Sequence, residues 1–457
     1  NYRMSQITML LGSLIMLAGI PGQILYYNQK PEIITLYTEK KIYKMGEPID
    51  IKYFYTNEQD EKVEERWTYR QVDEENHNCL YTKPEVIFVK GDYVASLRLK
   101  DEQGNWSKEK ECIIKIRGKA NETEYQHKFG RVPIGTTLDN FEKTNYREFK
   151  TIDYDSSSVE EGTLLMSNSP EAVQGEGILY QDTVKGKGRL LVHHINEMKE
   201  EGKRLVVLAQ NEGTKRIEVN IRNSTFKGPS KDILFIGQQV IYEYLKANTR
   251  EHIYLEKGES YIIYDSLDKG WKADEAISGM LDFDVDGPLR YTIAAVSVDT
   301  PIEEIARLKP LERDVHPRGT FRNVSKYYTF RIEEREENSK IVIGDSDVKW
   351  EEGIDAIKQK PSINKGNFGI VYRMQITVQE DMAVILNPRG DMFKGAIKWE
   401  GIGAYLAPKY GYFPSLNRAA YLGVIKEGDT KELIYILPCG SSAPVVVGLI
   451  PKRNWIK

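Results

Sequence analysis

Six histidines (His77, His127, His193, His194, His252, His316) and three cysteines (Cys79, Cys112, Cys439) are the first residues to test for chemistry. His193-His194 lies in Gly188–Asn196, GRLLVHHIN, which reads as a strand. Neighbours on a strand point to opposite faces, so one metal ion cannot easily take both rings; a strand site would use His-x-His. Asp282-Phe283-Asp284-Val285-Asp286-Gly287 has the alternating acids and the glycine of the first half of a calcium loop. Such a loop needs a bidentate glutamate at its twelfth position, and that place is held by Ile293. Asp282, Asp284 and Asp286 are thus calcium candidates without the key ligand, and Asp153, Asp155 and Glu160 form a looser acidic group. The competing reading places Leu281, Phe283 and Val285 in a core and the aspartates in water. Cys79 and Cys112 share one segment and are a candidate disulfide, which leaves Cys439 alone as a structural cysteine.

Two further runs look chemical and fail on their neighbours. Asn364–Tyr372, NKGNFGIVY, resembles the glycine-rich loop of protein kinases, but Asn364 replaces the first glycine. Ala383-Val384-Ile385 is followed by Leu386 where a kinase needs lysine, and no H-R-D or D-F-G run follows. Its glycines fit a tight turn at a strand start. Cys439–Ala443, CGSSA, lacks the second glycine of a G-x-S-x-G elbow and leads into a strand through Pro444. No catalytic or cofactor-binding residue is assigned. Trp271, Trp350 and Trp399, with the 28 tyrosines, are the candidates for stacking on sugar rings.

The elements that carry these residues are strands. Ile49, Ile51, Tyr53 and Tyr55 alternate on one face, as do Tyr93, Ala95, Leu97 and Leu99. Arg66–Arg70 and Cys112–Ile116 complete a set of short strands separated by turns such as Glu102–Asn105, the pattern of a β-sandwich over residues 31–118. Residues 119–150 lack periodicity and read as a linker that packs on its neighbours; they hold the sequon Asn121-Glu122-Thr123. Residues 151–310 read as a second, larger sandwich, with a helix over Asp232–Lys246 and a short one over Pro301–Leu308. Residues 311–457 read as a third, with Gly369–Val378 the best-patterned strand. The fold expected is all-β, tandem β-sandwich modules behind an N-terminal apolar segment.

That segment, Ile7–Ile20, is fourteen residues without a charge, preceded by Arg3 and followed by Pro21-Gly22. It is short against the about twenty residues of a bilayer span and suits the apolar region of a secretory signal. Residues 1–27 are expected to be a signal peptide or a membrane anchor. The chain has 457 residues, a formal net charge of −4 and 29% charged residues, which excludes the basic excess of a nucleic-acid binder.

The first module resembles a PKD-type, immunoglobulin-like domain. The likeness rests on Tyr43 with Gly46-Glu47-Pro48, on Trp67, on Gly91-Asp92-Tyr93 and on the hairpin Lys100–Ser107. Thr68–Asp73 stands where that family carries a W-D-F-G-D-G-like run. The resemblance implies an extracellular spacer or interaction module. Most of residues 150–452 resembles uncharacterised secreted proteins of spore-forming Gram-positive bacteria, sometimes labelled copper amine oxidase-like. The carrying residues include Gly162–Met166, His193-His194, Arg318–Phe321, Asn387–Gly390 and Gly440–Ser442. The label implies no activity here: the Asn-Tyr pairs Asn1-Tyr2 and Asn145-Tyr146 are each followed by arginine, and no His-x-His occurs.

The expectation is a non-enzymatic extracellular or cell-surface structural or adhesive protein. The alternative is a carbohydrate-binding surface protein. Its partners would be cell-wall or extracellular polysaccharide or further copies of itself, with no nucleic acid, no cofactor beyond the calcium question, and membrane contact only through the N-terminal segment.

Overall fold

Alternation of apolar and polar residues decides the first sandwich. In the computed structural model, Tyr93, Ala95, Leu97 and Leu99 of strand Gly91–Lys100 are all buried. Each large apolar side chain so buried contributes about 1.5–3 kcal/mol. The opposite face of that strand carries Arg98 and Lys100. Four strands pair in the order Tyr43–Lys44, Lys110–Arg117, Gly91–Lys100, Glu64–Gln71. They close over a two-stranded sheet of Glu32–Thr38 and Ile51–Thr56. Cys79 and Cys112 are free thiols, so the candidate disulfide is absent; Cys112 sits opposite Ala95 in the ladder.

The structure describes residues 30–56, 63–72, 79–101, 105–138, 145–334, 336–345, 349–389, 392–413 and 418–456. The signal or anchor reading of residues 1–27 lies outside them. The described chain is all-β, with three short-to-medium α-helices among the described residues.

The rest of the chain is built on two long strands, Gly177–Asn196 and Ala276–Ser297, which pair antiparallel along most of their length. Ser156–Ser167 joins the first in parallel, Thr163–Ser167 against Gly188–Val192. Its other edge pairs antiparallel with Arg318–Ile332, from Arg318 opposite Ser167 to Thr329 opposite Ser156. Arg318–Ile332 in turn runs parallel to Val371–Val378. One fifteen-stranded sheet therefore contains strands of both expected modules, and the boundary drawn between residues 310 and 311 falls within it. Ser156–Ser167 lies before that boundary, and Arg318–Ile332, which pairs its other edge, lies beyond it.

A second, six-stranded sheet packs on the later half of the large one. Its order is Thr137–Leu138, Ala419–Ile425, Met382–Pro388, Val445–Pro451, Ser339–Ile343, Lys150–Thr151. Val384, Leu386, Val447 and Leu449 face inward in one core with Ile376 and Ile397 of the large sheet. Helix Ile233–Lys246, capped by Asp232 accepting from the Phe235 amide, adds Val240 and Ile241 to that core. Gly237 lies against the chain at Cys439, where a Cβ would sit 2.0 Å from the Cys439 carbonyl oxygen. The expected linker supplies one edge strand of the six-stranded sheet, Thr137–Leu138, and the first residue of the other, Lys150; its Tyr125, Phe129, Tyr146 and Phe149 cover the outer face.

A buried ion pair ties the large sheet together. Arg318 and Asp355 are both fully buried. Arg318 Nε and Nη2 donate to Asp355 Oδ2 at 3.1 and 2.9 Å, and Nη1 donates to the carbonyls of Leu179 and Leu311 at 3.2 and 3.0 Å.

Candidate functional site

Where the first sandwich meets the rest of the protein, the chain leaves a groove of about 1530 Å³. One wall comes from the turns of the first sandwich. Gly46 has φ +74°, and a Cβ there would lie 2.9 Å from the Phe88 ring. Phe88 in turn reaches the His127 ring at 5.4 Å between centroids. The second wall is helix Glu124–Lys128, a single turn set by its caps: Gln126 N donates to Thr123 Oγ1 and Thr123 N donates to Gln126 Oε1. Phe129 follows the helix and packs on Tyr125, Tyr421 and Trp455 at 4.7, 5.5 and 5.3 Å. The sandwich is held beside this wall by Tyr81 stacked on Tyr412 at 4.4 Å and by buried Arg418 Nη1 donating to the Cys79 carbonyl at 2.9 Å.

The groove's chemistry is that of amides, carboxylates and ammonium heads. Lys90, Asn121, Glu122, Glu148, Lys150 and Asn338 line it, with apolar side chains that include Phe88 and Phe149. Glu122 is held below the usual carboxylate range by its hydrogen bond with His127, with Arg131 adding to the effect against the cost of burial. An ionised carboxylate is an acceptor only, and side-chain amides both donate and accept. Together they match a ligand rich in hydroxyl groups.

The sequence candidates lie elsewhere. His194 Nδ1–H donates to the Pro170 carbonyl, and Nε2 accepts from Ser167 Oγ, both at 2.8 Å. His193 points to the other face, buried, and neither of its ring nitrogens has a hydrogen-bond partner. Burial, then the nearby charges of His194 and His316, pushes His193 down to about 3; burial likewise takes His194 down to about 4. Asp282 is occupied: Arg189 Nε donates to Oδ1 at 2.8 Å and Tyr244 OH to Oδ2 at 2.6 Å. Asp286 Oδ1 accepts from the Glu218 amide, while Phe283 and Val285 are core residues. Spaced two apart on one strand, the three aspartates step along a face rather than converge. Asp153, Asp155 and Glu160 are exposed, and Glu160 accepts from Tyr327 OH. Among the described residues no group of three histidine, cysteine, aspartate or glutamate side chains is placed to hold a metal ion.

Burial first, then the Glu171 charge, drives the Cys439 thiol far above its ordinary value, so it stays protonated. The Gly366 run is a turn, with Gly366, Asn367 and Gly369 at positive φ and Asn364 bonded to both the amide and the carbonyl of Phe368. Trp271 and Trp399 are 2% and 3% exposed. Their indole N–H groups donate to the carbonyls of Glu275 and Leu422. The sugar-stacking expectation fails for these two because their rings fill cores; Trp350 is half-buried. The groove itself is a tertiary feature that no local run announces. The one signal available was the polar, aperiodic 119–150 segment carrying Tyr125, Phe129 and Phe149.

No family model and no curated protein matches this chain. Among solved structures it is similar to carbohydrate-binding modules of the β-sandwich superfamily with promiscuous specificity: 12% identity, 59% of this chain, 99% of that chain, TM-score 0.16. It is also similar to SGBP-B of the Bacteroides ovatus mixed-linkage glucan utilization locus, in complex with a mixed-linkage heptasaccharide: 8% identity, 59% of this chain, 100% of that chain, TM-score 0.14. A third is the α-L-rhamnosidase from Dictyoglumus thermophilum: 10% identity, 93% of this chain, 49% of that chain, TM-score 0.15. At these TM-scores the likenesses carry no argument about what this chain does. Among the described residues no helix is long and apolar enough to cross a membrane.

Proposed function

We propose that this chain is a non-enzymatic adhesive protein of the cell surface or extracellular space that holds polysaccharide in the groove between its first sandwich and the rest of the protein. The observation that carries the reading is the groove's lining: about 1530 Å³ of space lined by Asn121, Asn338, Glu122, Glu148 and Lys150 together with the Phe88 ring. Concave sites of this kind take ligands through a few placed polar groups over an apolar floor. Side-chain amides donate to and accept from sugar hydroxyls, and ionised carboxylates accept from them. The reactive residue types singled out by the sequence are committed to structure: His194 is bonded at both nitrogens and the Cys439 thiol is buried and protonated. The export reading rests on Ile7–Ile20.

The test is affinity electrophoresis and pull-down of the full chain against neutral insoluble glucans and cell-wall polysaccharide. Asn121 is exposed on the groove wall, so Asn121→Trp removes a wall amide and puts an indole into the groove without touching a core. Retention by a neutral glycan, lost in Asn121→Trp at unchanged melting temperature, is the expected result. Retention that Asn121→Trp leaves intact would refute the groove as the binding surface.

A further inference from the structure

The outer face of the four-stranded sheet in the first sandwich carries an arrangement the groove does not use. Arg66 and Arg98 sit directly opposite each other on neighbouring strands. Like charges so placed repel and cost stability. Both guanidinium groups lie over one ring, that of half-buried Trp106, at 4.5 Å for Arg66 and 5.2 Å for Arg98. The Lys100 ammonium lies over the same ring at 5.5 Å. Among the described residues Lys100 has one carboxylate contact, Glu64 at 3.6 Å, and neither Arg66 nor Arg98 is in an ion pair. The cluster continues onto the body. Lys394 stands over the Phe235 ring at 5.6 Å. Its charged form is disfavoured first by burial and also by the Arg66 charge, against the pull of Asp232. Over the one indole, cations are thus brought together from two neighbouring strands of the sandwich.

We propose that Arg66, Arg98 and Trp106 form a binding site for the carboxylate groups of an acidic polysaccharide. Planar guanidinium forks pair with carboxylates in two parallel hydrogen bonds, and stacking on an indole holds the forks in place beforehand. The repulsion between Arg66 and Arg98 is relieved when an anion sits between them. A nucleic acid needs a longer basic stripe than this short cluster supplies. Taking the carboxylates to be glycan-borne rests on the polysaccharide reading above, but the site is separate from the groove and is tested separately.

The experiment is isothermal titration of the full chain with oligogalacturonate at low and at high salt. Duplex DNA and poly-glutamate are the comparison polyanions, and a neutral glucan is the uncharged one. Oligogalacturonate is expected to bind, to weaken as salt rises, and to lose at least tenfold in affinity in Arg66→Gln/Arg98→Gln. Asn121→Trp is expected to leave that affinity unchanged, so a failed groove and a failed basic site are told apart. Both arginines point away from the core, and an unchanged melting temperature in the double variant confirms that it folds. No oligogalacturonate binding at low salt, or binding the double variant retains, overturns the proposal. Equal or tighter binding of DNA or poly-glutamate overturns its assignment to polysaccharide.

Discussion

Replacing His193 with leucine should flatten the loss of stability in acid. His193 and His194 are 1% and 0% exposed. Burial takes them down to about 3 and about 4, whereas an unfolded chain's histidine titrates near about 6.5. The folded values lie below the unfolded one, so the stability these rings allow is fully present above about pH 6.5 and is lost as pH falls toward the folded values. Midway through that window the unfolded chain binds two protons that the folded one does not. The pair alone then removes about 2.7 kcal/mol per pH unit. His193 offers two ring nitrogens without partners, so leucine removes two unsatisfied groups. At neutral pH its stability should equal or exceed that of the parent. Its share of the acid slope, about 1.4 kcal/mol per pH unit, should vanish. His194→Leu shares the slope change but strands Ser167 Oγ and the Pro170 carbonyl, and should cost about 1–3 kcal/mol at neutral pH. The assay is urea unfolding of the full chain followed by tryptophan fluorescence across this pH range. Carboxylates titrate in all variants alike, so the difference in slope isolates the histidine. An acid slope identical in His193→Leu and the parent would refute the reasoning, and so would a leucine variant destabilised at neutral pH.

Asp355→Ala leaves the guanidinium of Arg318 buried without its counter-charge and should cost about 3–5 kcal/mol. Arg318→Met/Asp355→Leu should recover most of that loss in denaturant unfolding, and a double variant as weak as the single one would count against the pair as the cause. Calcium should leave the melting temperature unchanged, and chelation likewise, because Arg189 and Tyr244 already hold Asp282. A bound ion at a hundred times its dissociation constant would add about 2.7 kcal/mol, so a melt with and without chelator reads the difference. On the same strand Asp282→Ala should destabilise far more than Asp284→Ala, since only the former strands the buried Arg189.

The fold was legible where one face of a short strand meets a core. Tyr93, Ala95, Leu97 and Leu99 announce both a strand and the side it buries, and Asp232 announces the start of its helix. What stayed hidden depends on pairing between distant segments. Ser156–Glu161, SSSVEE, has no apolar face, and it is a strand because Ser325–Thr329 lies beside it. Without that register the continuity across residue 310 cannot be read, and three sandwiches were expected where the later two share a sheet. Tryptophan misled for a related reason: residue type says that a ring will pack, and only the fold says whether on a core or a ligand. The groove was hidden because its walls come from residues some three hundred positions apart, such as Asn121 and Asn454.

The shared sheet also sets a clock. Ser156–Ser167 emerges from the ribosome roughly 150 residues before Arg318–Ile332, so at roughly 5–20 residues per second its edge waits roughly 8–30 s for its partner. An apolar edge left open that long would pair with the next nascent chain. This one begins with three serines and ends its unsupported half on Glu160-Glu161. The composition that hides this half of the strand from a sequence reading also blunts that half of the edge while it waits.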